Sequence, residues 1–354
     1  MDFPEMHFAS DNWAGAHPKI ADNLARHAAG FVAAYGASDL DKAVEQTFCK
    51  LFQREVAVFF VATGTAANSL AITSMSRPGG VAFAHREAHA IEDECGAPEY
   101  LSGGTRLFPV DGDLGRMDPD KLAHAIGQFD PAFVHGGRPV GVSVTQSTEI
   151  GTVYSLAEID AIAKICRDQK LPLHMDGARF ANAMIATDST PAAMTWKRGV
   201  DLVSFGGTKN GCWCAEALVV LDPSKAGEIP FIRKRAAQLF SKSRFIAAQF
   251  QAYFEGDLWL ETARHSNTMA TRLADSMAAS KKVRLAWKPQ ANEVFAIMAR
   301  TLVEQLRAQG AVFYPWKTPH SFAGRIADDE TLCRFVTSFA TTPEEIDRFG
   351  ALIA

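Results

Sequence analysis

The chain has 354 residues, enough for two domains. Apolar residues make up 47% and charged residues 21%, which excludes a disordered chain. A formal net charge of −4 argues against nucleic-acid binding, and no apolar run approaches the ~18–20 residues that a membrane span needs.

The start, Met1-Asp2-Phe3-Pro4-Glu5, is acidic with no apolar stretch behind it, which argues against a secretory leader. The six cysteines, Cys49, Cys95, Cys166, Cys212, Cys214 and Cys333, are scattered rather than framed as a disulfide scaffold. The C-x-C pair at 212 and 214 lacks the second pair of a zinc site. Reduced thiols in a cytoplasmic protein are therefore expected, with no metal and no membrane or nucleic-acid partner.

In chain order, Val56 to Val61 is a short apolar run of β-branched and aromatic residues that reads as a buried strand. The turn Thr63-Gly64-Thr65 follows and opens a helix. Further strands are expected at Val81–His85, Arg106–Val110, Ala132–His135, Gly141–Gln146, Leu171–Met175, Leu202–Phe205 and Ala217–Leu221. A helix over Leu156–Ile165 carries apolar residues on one face, with Ser155 as N-cap and Glu158 three residues on. Strands alternating with helices predict an α/β domain with a mostly parallel, buried sheet.

The pattern changes after Asp222-Pro223. Residues 225–254 read as a long, basic, mostly helical connection. Beyond it the sequence predicts a smaller α+β domain: a helix around Thr268–Ala279, a strand at Glu293–Met298 and a helix at Leu302–Gln309. Strands at Val312–Tyr314 and Leu332–Phe339 follow. A last helix is capped by Thr342 with Pro343 at its first position. The expected division is a large domain over 1–235 and a small one over 236–354.

Three short features carry chemistry. Thr63-Gly64-Thr65-Ala66-Ala67-Asn68 lies between a buried strand and a helix, where small residues let backbone amides approach an anion. Taken alone it reads more readily as a plain turn. Leu173-His174-Met175-Asp176-Gly177-Ala178-Arg179 ends a strand in an acid, which would point into the crevice where α/β sheets bind ligands, or would cap the next helix. Phe205-Gly206-Gly207-Thr208-Lys209-Asn210-Gly211 places one lysine at a glycine-rich strand end. It is a candidate Schiff-base amine or a surface-loop lysine. Together the three describe what pyridoxal phosphate requires: a phosphate cradle, an acid to keep the pyridine nitrogen protonated, and an amine for the aldehyde.

The order Gly64-Thr65, Asp176-Gly177-Ala178-Arg179, Thr208-Lys209 resembles the fold-type I pyridoxal-phosphate enzymes and, within them, the threonine aldolases. The resemblance extends over nearly the whole chain. Phe8-Ala9-Ser10-Asp11-Asn12 matches that family's opening segment and Tyr35-Gly36 its Tyr-Gly turn. The most specific match is Asp176 to Ala183, and Arg334 to Phe339 with Ala340-Thr341-Thr342 resembles the carboxylate-binding strand. Two segments depart from the family: Thr208-Lys209-Asn210-Gly211 stands where many members have Ser-Lys-Gly, and Val144-Thr145-Gln146 lacks a Glu-Asn that some members show.

The resemblance implies the aspartate-aminotransferase-like fold, pyridoxal 5′-phosphate, and cleavage of L-threonine, L-allo-threonine and related β-hydroxy-α-amino acids to glycine and an aldehyde. By the same likeness Lys209 forms the Schiff base, and Gly64, Thr65, His89, Asp176 and Arg179 hold the cofactor. Ser10, Arg179 and Arg334 would hold the substrate carboxylate. His89 and His135 are both candidates for the base that deprotonates the β-hydroxyl, and a water could serve instead. A homodimer or homotetramer is implied, with Tyr35 and Arg235 as candidates to touch a neighbour's phosphate. The alternatives are another fold-type I activity (β-elimination, transamination or a phenylserine preference) or a non-catalytic relative.

Overall fold

The apolar runs of the first two-thirds of the chain line up in one seven-stranded sheet. The structure, a computed structural model, describes residues 5–130 and 132–354, so the reading of Met1–Pro4 lies outside the described residues. The strands, in chain order, are β1 (Met6–His7), β2 (Ala57–Val61), β3 (Gly80–His85), β4 (Arg106–Val110), β5 (Arg138–Thr145), β6 (Leu173–Gly177), β7 (Leu202–Gly206) and β8 (Glu216–Val220). They continue with β9 (Val283–Leu285), β10 (Glu293–Ala299), β11 (Ala311–Val312), β12 (Tyr314–Pro315) and β13 (Glu330–Val336). The large sheet has the order β2-β8-β7-β6-β5-β3-β4 and is parallel except for β8, which runs against both neighbours. Burial on both faces explains the unbroken apolar runs of β2, β3 and β7, which helices cover on either side.

Helix ends follow the local signals. Ser155 and Glu158 form a reciprocal capping box on the helix Leu156–Asp168, and Thr342 and Glu345 do the same on Pro343–Ile353. One strand expectation fails. Residues 132–135 form a turn instead, with Phe133, Val134 and His135 exposed. The apolar triplet has no sheet partner there, and the strand that follows begins only at Arg138.

A second, smaller sheet has the order β12-β13-β10-β9 and is antiparallel. β1 pairs in parallel with β11, so the start of the chain joins the small body, and Met6 and Phe8 lie in its apolar core. The helical connection is broken: Ile229–Arg235 and Arg244–Phe254 are separate helices, with Ala237 in left-handed backbone between them. The helix Leu258–Ala279 is longer than expected and reaches ~33 Å. Its first part (Leu258, Trp259, Ala263) packs in the large core and its second part (Met269, Leu273, Met277) in the small one. The two apolar cores thus meet inside this helix, further along the chain than the sequence division after residue 235.

Candidate active site

The carboxyl ends of β2, β3, β6 and β7 and the amino end of β8 share one edge of the large sheet. A cavity of about 250 Å³ opens there. Thr63, Gly64 and Thr65 line one end. Thr63 caps the helix Gly64–Met75 by accepting a hydrogen bond from the Ala66 amide, so the amides of Gly64 and Thr65 in the first turn have no intrahelical acceptor. Asp176, the penultimate residue of β6, lines the floor. Thr208 and Lys209 enter from the 3₁₀ turn after β7, and His89 from the short helix after β3. Gly64, Thr65, His89, Asp176 and Lys209, which the sequence places in separate segments, therefore border the same space.

A chain of hydrogen bonds joins the acid on the floor to the histidine above it. Asn68 Nδ2 donates to Asp176 Oδ2 at 2.9 Å and to Glu94 Oε1 at 2.7 Å, and Glu94 Oε1 pairs with His89 Nδ1 at 2.8 Å. Burial alone would lower the His89 imidazole. The Glu94 hydrogen bond and the nearby carboxylates of Glu149, Asp176 and Glu94 outweigh it and raise the group to about 9. Behind the floor, His174 pairs through Nδ1 with Ser143 and through Nε2 with Ser204, both at 2.9 Å. Burial pushes it down to about 4, so it is a neutral strut tying β5, β6 and β7 together.

Beside the cavity lies a buried cluster of opposite charges. Arg179 Nε and Nη2 grip Asp11 at 2.7 and 3.1 Å, and its Nη1 stands 3.3 Å from Glu293 with no hydrogen bond among the described residues. Arg334 lies 3.6 Å from the other Glu293 oxygen and packs its guanidinium over the Trp316 ring at 3.8 Å. Burial would lower Arg179, but Asp11, Glu293 and Glu149 hold it above its ordinary value. Glu149 is kept ionised against its own burial by Lys209, Arg179, His89 and Arg334. Arg179 itself does not line the cavity: two of its three nitrogens are engaged by Asp11, and Nη1 alone is left for a substrate carboxylate. Ser10 accepts a hydrogen bond from the Asn12 amide and borders a separate small cavity with Trp13 and Thr341, while Asn12 reaches the main one.

His135 is not brought to this site within the chain. It precedes β5, at the amino end of the parallel strands, whereas the cavity lies at their carboxyl ends. It is exposed and its ring packs edge-on against Phe133. Tyr35 and Arg235 are also exposed and do not line the cavity, with Lys234 over the Tyr35 ring. Cys212 is buried with its thiol pushed up by desolvation, and Cys214 is half-buried against Gln249. Gln146, where some relatives have Glu-Asn, clamps the Tyr154 backbone in both directions.

Four residues at the site escape sequence reasoning: Glu94, Glu149, Glu216 and Glu293. Each sits in an unremarkable local pattern, and only the fold turns it toward a cation or the cavity. The donor set fits pyridoxal phosphate. Free helix-end amides suit a phosphate, Asp176 is held by Asn68 and the Ala178 amide with its carboxylate on the floor, and the Lys209 amine faces the same space.

Comparison with known proteins shows the family of the chain. The profile of the family described as beta-eliminating lyase matches residues 7–301. The chain is 37% identical over 340 residues to the low specificity L-threonine aldolase of Pseudomonas aeruginosa, covering 96% of this chain and 94% of that one. It is 38% identical over 308 residues to the low specificity L-threonine aldolase of a Pseudomonas species, covering 87% and 88%. A solved structure of Leishmania major threonine aldolase superposes with a TM-score of 0.90 at 28% identity, covering 98% of both chains. The chain belongs to the beta-eliminating lyase family, in its threonine aldolase branch.

Proposed function

We propose that the protein is a pyridoxal-phosphate-dependent aldolase that cleaves L-threonine, L-allo-threonine and related β-hydroxy-α-amino acids to glycine and an aldehyde. The observation that carries the reading is the meeting of Lys209, Asp176 and His89 in one cavity, with a buried arginine pair beside it. When bound, the cofactor supplies an electron sink for the pair left on Cα as Cα–Cβ breaks. Lys209 would tether it, Gly64 and Thr65 would receive its phosphate, and Asp176 would keep its ring nitrogen protonated. Arg334, the Nη1 of Arg179 and Ser10 from the neighbouring cavity would hold the substrate carboxylate and so orient the bonds at Cα.

The β-hydroxyl must lose its proton as the aldehyde departs. His89 is the base within this chain. Glu94 occupies its Nδ1, so any proton it moves passes through Nε2.

A homodimer or homotetramer belongs to the same proposal. Phe31, Val32, Tyr35, Trp213 and Phe231 are large apolar side chains left exposed, which an interface between copies would cover. In such an assembly Tyr35 and Arg235 are the candidates to touch the phosphate of a neighbour's site. Among the described residues no helix is long and apolar enough to cross a membrane, and the proposed location is the cytoplasm.

The test offers the purified protein L- and D-threonine, allo-threonine and phenylserine, measuring aldehyde and glycine together, with borohydride reduction and peptide mapping in parallel. Equal glycine and aldehyde from the L-amino acids, with the reduced tag on Lys209 and no activity in Lys209→Ala, is the expected result. Oxobutyrate from threonine without acetaldehyde would replace the aldolase reading by β-elimination. A tag on another lysine would overturn the site.

A further inference from the structure

The phosphate end of the cavity contains a carboxylic acid. Glu216 opens β8, is 4% exposed, and lines the cavity with Gly64, Thr65 and Thr208. Its Oε1 accepts a hydrogen bond from the Thr208 amide at 3.2 Å. Its Oε2 lies 3.9 Å from where a Cβ on Gly64 would stand, beside the helix turn whose free amides await an anion. No arginine lines this cavity among the described residues: Lys209 and His89 are its cationic groups, and Lys209 gives up its free ammonium when it takes an aldehyde. An ionised carboxylate here would repel a phosphate dianion at contact distance, whereas a neutral one would donate it a hydrogen bond.

We propose that Glu216 serves the cofactor phosphate as a neutral acid, donating a hydrogen bond from within the cradle, so that phosphate binding and proton retention by Glu216 are one linked event. The inference rests on the pyridoxal-phosphate reading and adds to it a phosphate ligand and a pH dependence of cofactor retention. Burial independently favours the neutral form, raising the Glu216 carboxyl to about 7 even though the Thr208 hydrogen bonds and Lys209 act the other way. The titratable groups facing it are Lys209 from the 3₁₀ turn, Asp176 from β6, Cys212 and Cys214 from the loop before β8, and Tyr253 from the helix Arg244–Phe254. Burial holds the Cys212 thiol and the Tyr253 phenol well above their ordinary values, so both stay neutral where Glu216 titrates.

The sign follows from linkage. Below the Glu216 titration the proton is already present and phosphate binding is independent of it. Above it, each binding event must take up a proton, and affinity falls by up to about tenfold per pH unit. The phosphate's own second ionisation, near ~6, is complete by then and cannot produce this fall.

The test titrates the apoenzyme with pyridoxal phosphate and with pyridoxal, which lacks the phosphate, from about pH 6.5 to 9, following the visible absorbance of the bound chromophore. The ratio of the two dissociation constants removes the titrations that act alike on both ligands, and the ratio in Glu216→Gln reads whatever Lys209 and His89 add at the phosphate. In the wild type the advantage of the phosphate should shrink at least several-fold across this range, with proton uptake on binding pyridoxal phosphate but not pyridoxal. In Glu216→Gln, which keeps the acceptor for Thr208, the ratio should be flat. Pyridoxal binding by this variant reports that its site is intact. A flat ratio and no proton uptake in the wild type overturn the inference whatever the variant does, and leave the cofactor reading standing. If neither ligand binds the wild type, the cofactor reading fails and takes this one with it.

Discussion

His89 and Glu94 show how one contact sets the working pH of a side chain. A free imidazole titrates near ~6.5 and would already be a base at neutral pH. Here the carboxylates around it hold the proton on to about 9, so a His89 that removes the β-hydroxyl proton is mostly in the wrong form at pH 7. With His89 as the base, kcat/KM should climb about tenfold per pH unit below that value and level off near it. Glu94→Gln removes the strongest upward influence and should shift the rising limb toward neutral pH. His89→Asn should abolish the limb and cost about 10²–10⁴-fold in rate. A pH–rate profile of the three proteins decides: a limb that persists unchanged in His89→Asn assigns the proton to another group or to water. The choice between His89 and His135 is not legible in the sequence, because each lies at or shortly after an apolar run that reads as a strand. Only the strand direction separates them, by putting one at the carboxyl edge and the other at the amino edge.

At the level of elements, the turns after β6 and β7 interlock so closely that only glycine fits. A Cβ on Gly206 would stand 2.5 Å from the Ala178 carbonyl oxygen, and one on Gly177 2.8 Å from the Ser204 carbonyl oxygen. Both obstacles are backbone, so neither can swing aside. Gly206→Ala should therefore push apart the turns that present Asp176 and Lys209. The expected cost is about 1–3 kcal/mol in stability and a weaker grip on pyridoxal phosphate, read by denaturant titration and by cofactor binding. Unchanged values in both would show that the two turns move independently. Short-range signals of this kind made most of the fold readable. The apolar run Arg106–Val110 is a strand with the expected ends, and the capping boxes at Ser155 and Thr342 start their helices as anticipated. Where the outcome depends on a distant partner, the pattern is silent. Ala132-Phe133-Val134 is as apolar as a strand but finds no neighbour, and the break at Ala237 carries neither Gly nor Pro to announce it. The same holds for the site: strand-end motifs point to Asp176 and Lys209 as candidates, whereas Glu94 and Glu216 lie in no such motif and gain their partners His89, Asn68 and Thr208 only when the turns fold back on the cavity.

Across the whole molecule, one buried clamp fixes the small body against the large one. Asp11 comes from the opening segment, Arg179 from the turn after β6, and Asn292 and Glu293 from the start of β10. Asp11 accepts from Arg179 twice and from Asn292 at 3.0 Å. Lys209 follows a strand of the large sheet and Arg334 stands on the small one, so the distance between the proposed cofactor tether and the proposed carboxylate grip depends on this clamp. Asp11→Ala leaves the Arg179 cation buried without its two hydrogen-bonded contacts, balanced through space by Glu293 and Glu149, and should cost about 3–5 kcal/mol. The substrate KM should rise more than kcat falls, since the grip is displaced while the tether and base remain. The ion pair also fixes a direction with pH. Burial would raise the Asp11 carboxyl, but Arg179, Lys209 and Asn292 together bring it below its ordinary value. A carboxyl depressed in the folded state stabilises the protein above its unfolded value, near ~3.9, and that stabilisation disappears as pH falls through the folded value. Denaturant midpoints measured from neutral pH down into the acid range should therefore converge for wild type and Asp11→Ala. A constant gap between them would mean that Asp11 acts through packing and not through its charge.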